Sequence, residues 1–205
     1  MAYYVGDIPS EPVAIEPARG QEDIDLTKFT SASASLRKWG GAEVEATFAA
    51  VIESGMVVVN WPATSPFADA GLFTLNVTLN GTGVQERIAP VYFVAQDDDG
   101  WMNLDQTRGM WSGANQMTDE LLWDALNLSK QQVLEFAPAL ADDAPIPDSY
   151  RSAQWKQAKN LWNANKANPS SGDTGDPDGF SLTIYPLDWQ IRQILRPKRG
   201  VPVVG

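Results

Sequence analysis

Near Gln96–Gly100 the hydrophobic period of the chain changes from two residues to between three and four. A period of two puts alternate side chains on one face of a strand, and a period of about 3.6 puts them on one stripe of a helix. A chain that switches once, without interleaving the two patterns, builds its sheets and its helices in separate regions. The expectation is an α+β chain of two domains, an N-terminal β-sandwich and then a small helical domain with an extended C-terminal tail. The boundaries that follow are 1–96 for the sandwich, 97–117 for a linker, 118–195 for the helices and 196–205 for the tail.

Residues 1–30 are rich in Pro and acid, and read as an extended arm with short edge strands, where Pro is tolerated. Val44, Ala46 and Phe48 alternate with Glu43, Glu45 and Thr47, as in a half-buried strand. Met56 to Trp61 is a β-branched run closed by Pro62. Phe73, Leu75, Val77 and Leu79 alternate with Thr74, Asn76 and Thr78, the clearest strand of the chain. Asn80-Gly81-Thr82-Gly83 predicts a turn, and Arg87 to Val94 a returning strand, bulged or edge-placed at Pro90. Several short strands separated by turns make a sandwich of about 90 residues, Ig-like in size.

Beyond Asp97-Asp98-Asp99-Gly100, Thr118-Asp119-Glu120 starts a helix with a hydroxyl cap and acids in the first turn. Leu122, Ala125, Leu126, Ser129, Val133 and Phe136 keep helical spacing up to Pro138. A second helix starts at Pro147-Asp148, with Tyr150, Ala153, Gln154, Gln157, Ala158, Leu161 and Trp162 on one face. Residues 168–179 are a loop of turn formers, and a third short helix runs from about Leu187 to Leu195.

Function is narrowed by what the chain lacks. It has no Cys and no His. That removes disulfides, thiolate metal sites, Cys nucleophiles, Ser-His-Asp triads and imidazole ligands. Carboxylate pairs remain, but nothing in the sequence sets two of them across a cleft, so no enzyme, cofactor or metal is expected. The net charge of −11 makes free duplex DNA a poor partner. No apolar run is long enough to span a membrane, and Met1-Ala2-Tyr3-Tyr4 does not begin a signal peptide.

The remaining clusters have plain readings. Asp173, Asp176 and Asp178 sit in a Gly-rich turn without the closing Glu that a calcium loop uses, and read as a solvated turn. Asp97 to Asp99 read as a charged linker. Of the eight Trp residues, Trp61 and Trp162 lie on apolar faces and are expected in the core. Trp123 and Trp155 fall one step off their helix stripes. Either the core is wider than the stripes, or other chains cover them; the second is the expectation, with Lys156 and Lys159 beside Trp155 in the same contact. Four bases, Arg192, Arg196, Lys198 and Arg199, fall in the last 14 residues. The ending Val201-Pro202-Val203-Val204 suits addition as a strand to a partner's sheet.

Residues 118–205 resemble the head-to-tail adaptor (connector) proteins of long-tailed bacteriophages. The resemblance lies in an order of elements. The capped helix Thr118–Ala137 runs into Pro138, and Ile146-Pro147-Asp148-Ser149-Tyr150-Arg151-Ser152-Ala153-Gln154 opens a long helix ending in Trp162-Asn163-Ala164. A Gly/Asp loop, Gly179-Phe180, and Pro186-Leu187-Asp188-Trp189 leading to Ile194-Leu195-Arg196-Pro197-Lys198-Arg199 complete it. The closing Gly200-Val201-Pro202-Val203-Val204-Gly205 is similar to adaptors of phages that infect actinobacteria. Residues 1–95, with Gly6-Asp7-Ile8-Pro9, Asp25-Leu26-Thr27 and Trp61-Pro62, resemble the fused N-terminal Ig-like domain of that subgroup, itself similar to the N-terminal domain of baseplate upper proteins.

The resemblance implies a virion protein of the phage neck, made in the host cytoplasm. Its copies would form a ring, usually of twelve, beneath the portal protein and above a stopper or tail-completion protein. DNA would pass through the ring without specific binding. Arg196, Lys198, Arg199, Val201, Val203 and Val204 would dock on the portal, and the Ig-like domain would reach the capsid or a decoration protein. The alternative is a carbohydrate- or surface-binding module of a phage tail or baseplate.

Overall fold

The computed structural model describes residues 1–19, 22–141, 143–167 and 185–196. Strands and four helices occupy separate stretches of these residues, so the chain is α+β. It divides into two compact units, Met1–Asp97 and Asp98–Gly205.

The first unit holds two main sheets and a small two-stranded one that pairs Ala18–Arg19 with Glu22–Asp23. Strands β1 (Ala2–Tyr4), β2 (Val13–Ile15), β3 (Ala18–Arg19), β4 (Glu22–Asp23) and β5 (Ser31–Lys38) come first. Strands β6 (Ala49–Glu53), β7 (Met56–Asn60), β8 (Gly71–Gly81), β9 (Val84–Arg87) and β10 (Val91–Gln96) follow. The larger sheet runs β1-β10-β8-β5, with β9 also on β8, and the smaller runs β2-β7-β6. Neighbours are antiparallel apart from β1, which lies parallel to β10 with Ala2 opposite Val94 and Tyr4 opposite Gln96. Strand β8 follows its sequence pattern: Phe73, Leu75, Val77 and Leu79 face inward and are buried. They share one apolar core with Leu36 and Phe93 of the same sheet and with Val13, Ile15, Val57 and Val59 of the other. An aromatic cluster closes one end. Tyr3 stacks on Phe67 with centroids 5.1 Å apart, and Trp61 meets Phe93 edge to face at 5.2 Å.

Three expectations for this unit change. Residues 1–30 do supply edge strands, but they are not an arm, because Val13, Ile15 and Phe29 are core residues. The alternation at Val44–Phe48 does not produce a strand. Only the isolated bridges Ala34 to Phe48 and Arg37 to Glu43 form, because the Ala46 N–H turns back to the Val44 carbonyl (2.8 Å). The strand expected over Arg87 to Val94 is two strands, β9 and β10, divided at Pro90, which has no N–H to give a ladder. Strands β6 and β7 are joined by Ser54-Gly55, both at positive φ, the backbone of a tight two-residue hairpin. Gly81 ends β8 in contact with another segment: a Cβ there would stand 2.2 Å from the Lys28 carbonyl oxygen.

The second unit holds helices α1 (Leu104–Met110), α2 (Asp119–Phe136), α3 (Asp148–Ala167) and α4 (Trp189–Leu195). The segment expected as a linker is folded. Asn103 caps α1, Ser112–Gln116 form a 3-10 turn, and Trp101, Met102, Leu104, Thr107, Trp111, Ala114 and Met117 are buried. Its brevity hides it: seven residues of helix give too little periodicity to register. Helix α2 starts as expected, with the Leu121 N–H donating to the Thr118 hydroxyl (3.4 Å). Leu122, Ala125, Leu126, Ser129 and Val133 form its buried stripe. On α3 the buried stripe is Tyr150, Ala153, Gln154, Gln157, Ala158 and Leu161. Asp188 caps α4 by accepting from the Ile191 N–H (2.8 Å).

Candidate functional site

The long helix α3 is built from two unlike faces. Its inward face carries two glutamines where a simple core would carry leucines. Gln154 accepts from the Met102 N–H (2.8 Å) and donates to the Leu126 carbonyl (3.2 Å). Gln157 donates to the Tyr185 carbonyl (2.7 Å) and to Gln132 (2.8 Å), and Gln132 donates to the same carbonyl (3.1 Å). Asn160 donates to Asp188 (2.9 Å), the residue that caps α4. These bonds tie α3 to α2, to the segment before α1 and to the start of α4, so its outward face is held rigidly.

That outward face carries Trp155, Lys159, Trp162 and Lys166, spaced i, i+4, i+7 and i+11. Such residues line one side of a helix. Both indoles are half-buried, and Lys159 and Lys166 are exposed. The Lys166 ammonium lies 4.7 Å from the Trp162 ring centroid and donates to Gln116 (3.1 Å). Lys156, half-buried, puts its ammonium 5.9 Å from the Trp155 ring. Trp155 therefore falls off the core stripe, as its position predicts. Trp162 does so as well, against the expectation that it is core. At i+7 from Trp155 it repeats the same face, a signal present in the sequence and outweighed by its neighbour Leu161.

Trp123 is half-buried on α2, next to the fully buried Leu122. The outward stripe of α2, opposite its buried one, carries Glu120, Asp124, Gln131 and Glu135. Burial, and then the nearby charge of Glu120, raise the Asp124 carboxyl above its usual range.

At the end of α4, Arg196 is exposed and its guanidinium lies 4.9 Å from the Phe136 ring centroid, with Arg192 at 5.8 Å from the same ring. Phe136, Pro186 and Leu187 line an open hollow there, rimmed by Glu135 and Arg192. Arg196 thus packs on its own chain just past the end of α4. Lys198, Arg199, Val201, Val203 and Val204 lie outside the described residues, as does the turn of Asp173, Asp176 and Asp178.

Asp99 is engaged locally: it accepts from the Trp101 N–H (3.1 Å) and pairs with Lys130. Among the described residues no group of three or more acids is placed to hold a metal ion. No described helix is long and apolar enough to cross a membrane. No protein-family model matches the chain, and no curated protein matches it.

Proposed function

We propose that this chain is a structural adaptor of a phage neck, forming a ring between the portal and the stopper or tail-completion protein and surrounding the channel through which DNA leaves. The observation that carries the reading is the outward face of α3. Two tryptophans and two lysines, with Lys156 beside them, are held there by a bonded inner face, on a chain that is acidic elsewhere. A face of that composition is suited to burial against protein. The element order supports the same reading: a capped helix into Pro138, a long helix ending after Trp162, and a short capped helix leading into a basic tail.

Within this proposal the first unit is an Ig-like sandwich and the second a helical adaptor domain, with α1 and its following turn belonging to the second. Trp123, Trp155, Lys156 and Lys159 lie between neighbouring copies, about twelve to a ring. Contacts of this kind are heterologous and close because the rotation closes. Arg196, Lys198, Arg199, Val201, Val203 and Val204 engage the portal, while the first unit reaches capsid or decoration protein. The acidic balance of the chain suits a channel that passes DNA without gripping it.

The test is to mix the purified chain with assembled portal rings and image the product by electron microscopy. The expected result is a ring of added density beneath the portal, whose symmetry gives the copy number. Intact portal rings with nothing added would overturn the reading. A second reading, a sugar- or surface-binding module, is favoured by Trp39, 58% exposed where β5 ends. Sugar affinity of the full chain, lost on Trp39→Ala, would mark it.

A further inference from the structure

Charge is segregated on this molecule. Helix α3 carries four bases and one acid, while the rest of the chain carries 11 bases and 25 acids. The bases of α3 also lack a matching supply of acids close by. Arg151 reaches Asp148 at 4.0 Å, and no ion pair of Lys156, Lys159 or Lys166 occurs among the described residues. On α2, Glu120, Asp124 and Glu135 likewise make no ion pair among the described residues. They lie on the side of α2 opposite its buried stripe. Both stripes belong to one compact unit, the first about three turns long and the second about four.

From this segregation we infer that the Trp155–Lys159–Trp162–Lys166 stripe docks on the Glu120–Asp124–Glu135 stripe of a second copy, head to tail. The inference rests on the ring reading above in taking a neighbouring copy as the occupant. Charge complementarity identifies that occupant: any other copy of this chain offers the acidic surface that α3 lacks at home. The tryptophans supply the desolvated centre of the contact and the lysines its polar rim. The polarity follows from the sign of the charge, since two basic faces repel each other and a symmetric α3–α3 pairing is disfavoured. A donor face and a different acceptor face on each copy generate a ring or a filament when the two faces engage two different neighbours, as the ring reading requires.

The experiment uses two charge-reversed full-length chains, Lys159→Glu with Lys166→Glu, and Asp124→Lys with Glu135→Lys. Self-association of each is followed by sedimentation at low and at high salt, with circular dichroism to verify folding. The unsubstituted chain is expected to associate in low salt and to dissociate as screening rises. Each folded variant alone is expected to lose at least tenfold in apparent affinity. An equal mixture of the two should associate again, because each then meets a surface of opposite sign. If folded variants associate as the unsubstituted chain does, or the mixture fails to, the inference is overturned. A milder pair, Lys159→Gln with Lys166→Gln, serves if either reversal unfolds the chain. Portal-bound rings formed equally well by the Lys159→Glu, Lys166→Glu chain would sink this contact and leave the ring reading standing. Charge-dependent association in solution without any portal-bound ring would do the reverse.

Discussion

Replacing Gln154 by Leu isolates the part of α3 that fixes its orientation. Gln154 is 2% exposed, and it bridges the Met102 N–H and the Leu126 carbonyl. The substitution leaves the buried Met102 N–H without an acceptor, at a cost of about 1–3 kcal/mol. Leu126 lies inside α2, so its carbonyl keeps the helical bond from four residues on, and the loss there is about 0.5–1.5 kcal/mol. Burying the leucine side chain returns about 1–2 kcal/mol. The central values leave a net destabilisation of about 1.5 kcal/mol, although the new residue is more apolar. Urea denaturation of the full chain reads the total. Because two compact units can unfold separately, hydrogen exchange at the Met102 amide is the deciding measurement, and it should accelerate at least tenfold. Gln154→Glu sharpens the test. Its acceptor oxygen survives, and its protonated form also donates, so its folded-state pKa is raised and its stability improves as pH falls. An unchanged denaturation midpoint together with unchanged exchange at Met102 would refute the reasoning.

Two further outcomes follow from the geometry. Asp124→Asn should raise the melting temperature at pH 7. The raised carboxyl pKa means that ionisation costs more in the folded chain than in the unfolded one. That difference should vanish as pH falls below the ordinary Asp value of about 3.9, and a constant offset across pH would contradict it. Gly81→Ala should destabilise the first unit by about 1–3 kcal/mol, since the backbone at Lys28 must move to admit a methyl group; a neutral effect in thermal unfolding would show that it moves freely.

Long, regular elements were legible in the sequence. Strand β8 and the buried stripes of α2 and α3 follow from periodicity, because their own side chains decide which face turns inward. What was not legible depended on distant partners. Val44–Phe48 has the alternation of a strand, yet a backbone turn at Ala46 interrupts the ladder. Leu104–Met110 is too short to show a period, and its packing is what makes it a helix. Gln154 and Gln157 are visible on the α3 stripe, but the groups that they satisfy, Met102, Leu126 and Tyr185, lie 28 to 52 residues away. The candidate site divides in the same way. Trp155 stood out by falling off the stripe, while Trp162 was masked by the apolar Leu161 beside it.

The parallel pairing of β1 with β10 also sets an order of events during synthesis. Tyr3 contributes its ring to the aromatic cluster, and Tyr4 pairs with Gln96, so the first strand made binds only the last strand of its sheet. Closing a loop of that length is slow relative to forming a hairpin. On a translating ribosome the apolar face of β8 therefore emerges before its neighbour β10 exists. The first unit has to carry that exposed edge until residue 96 has been made.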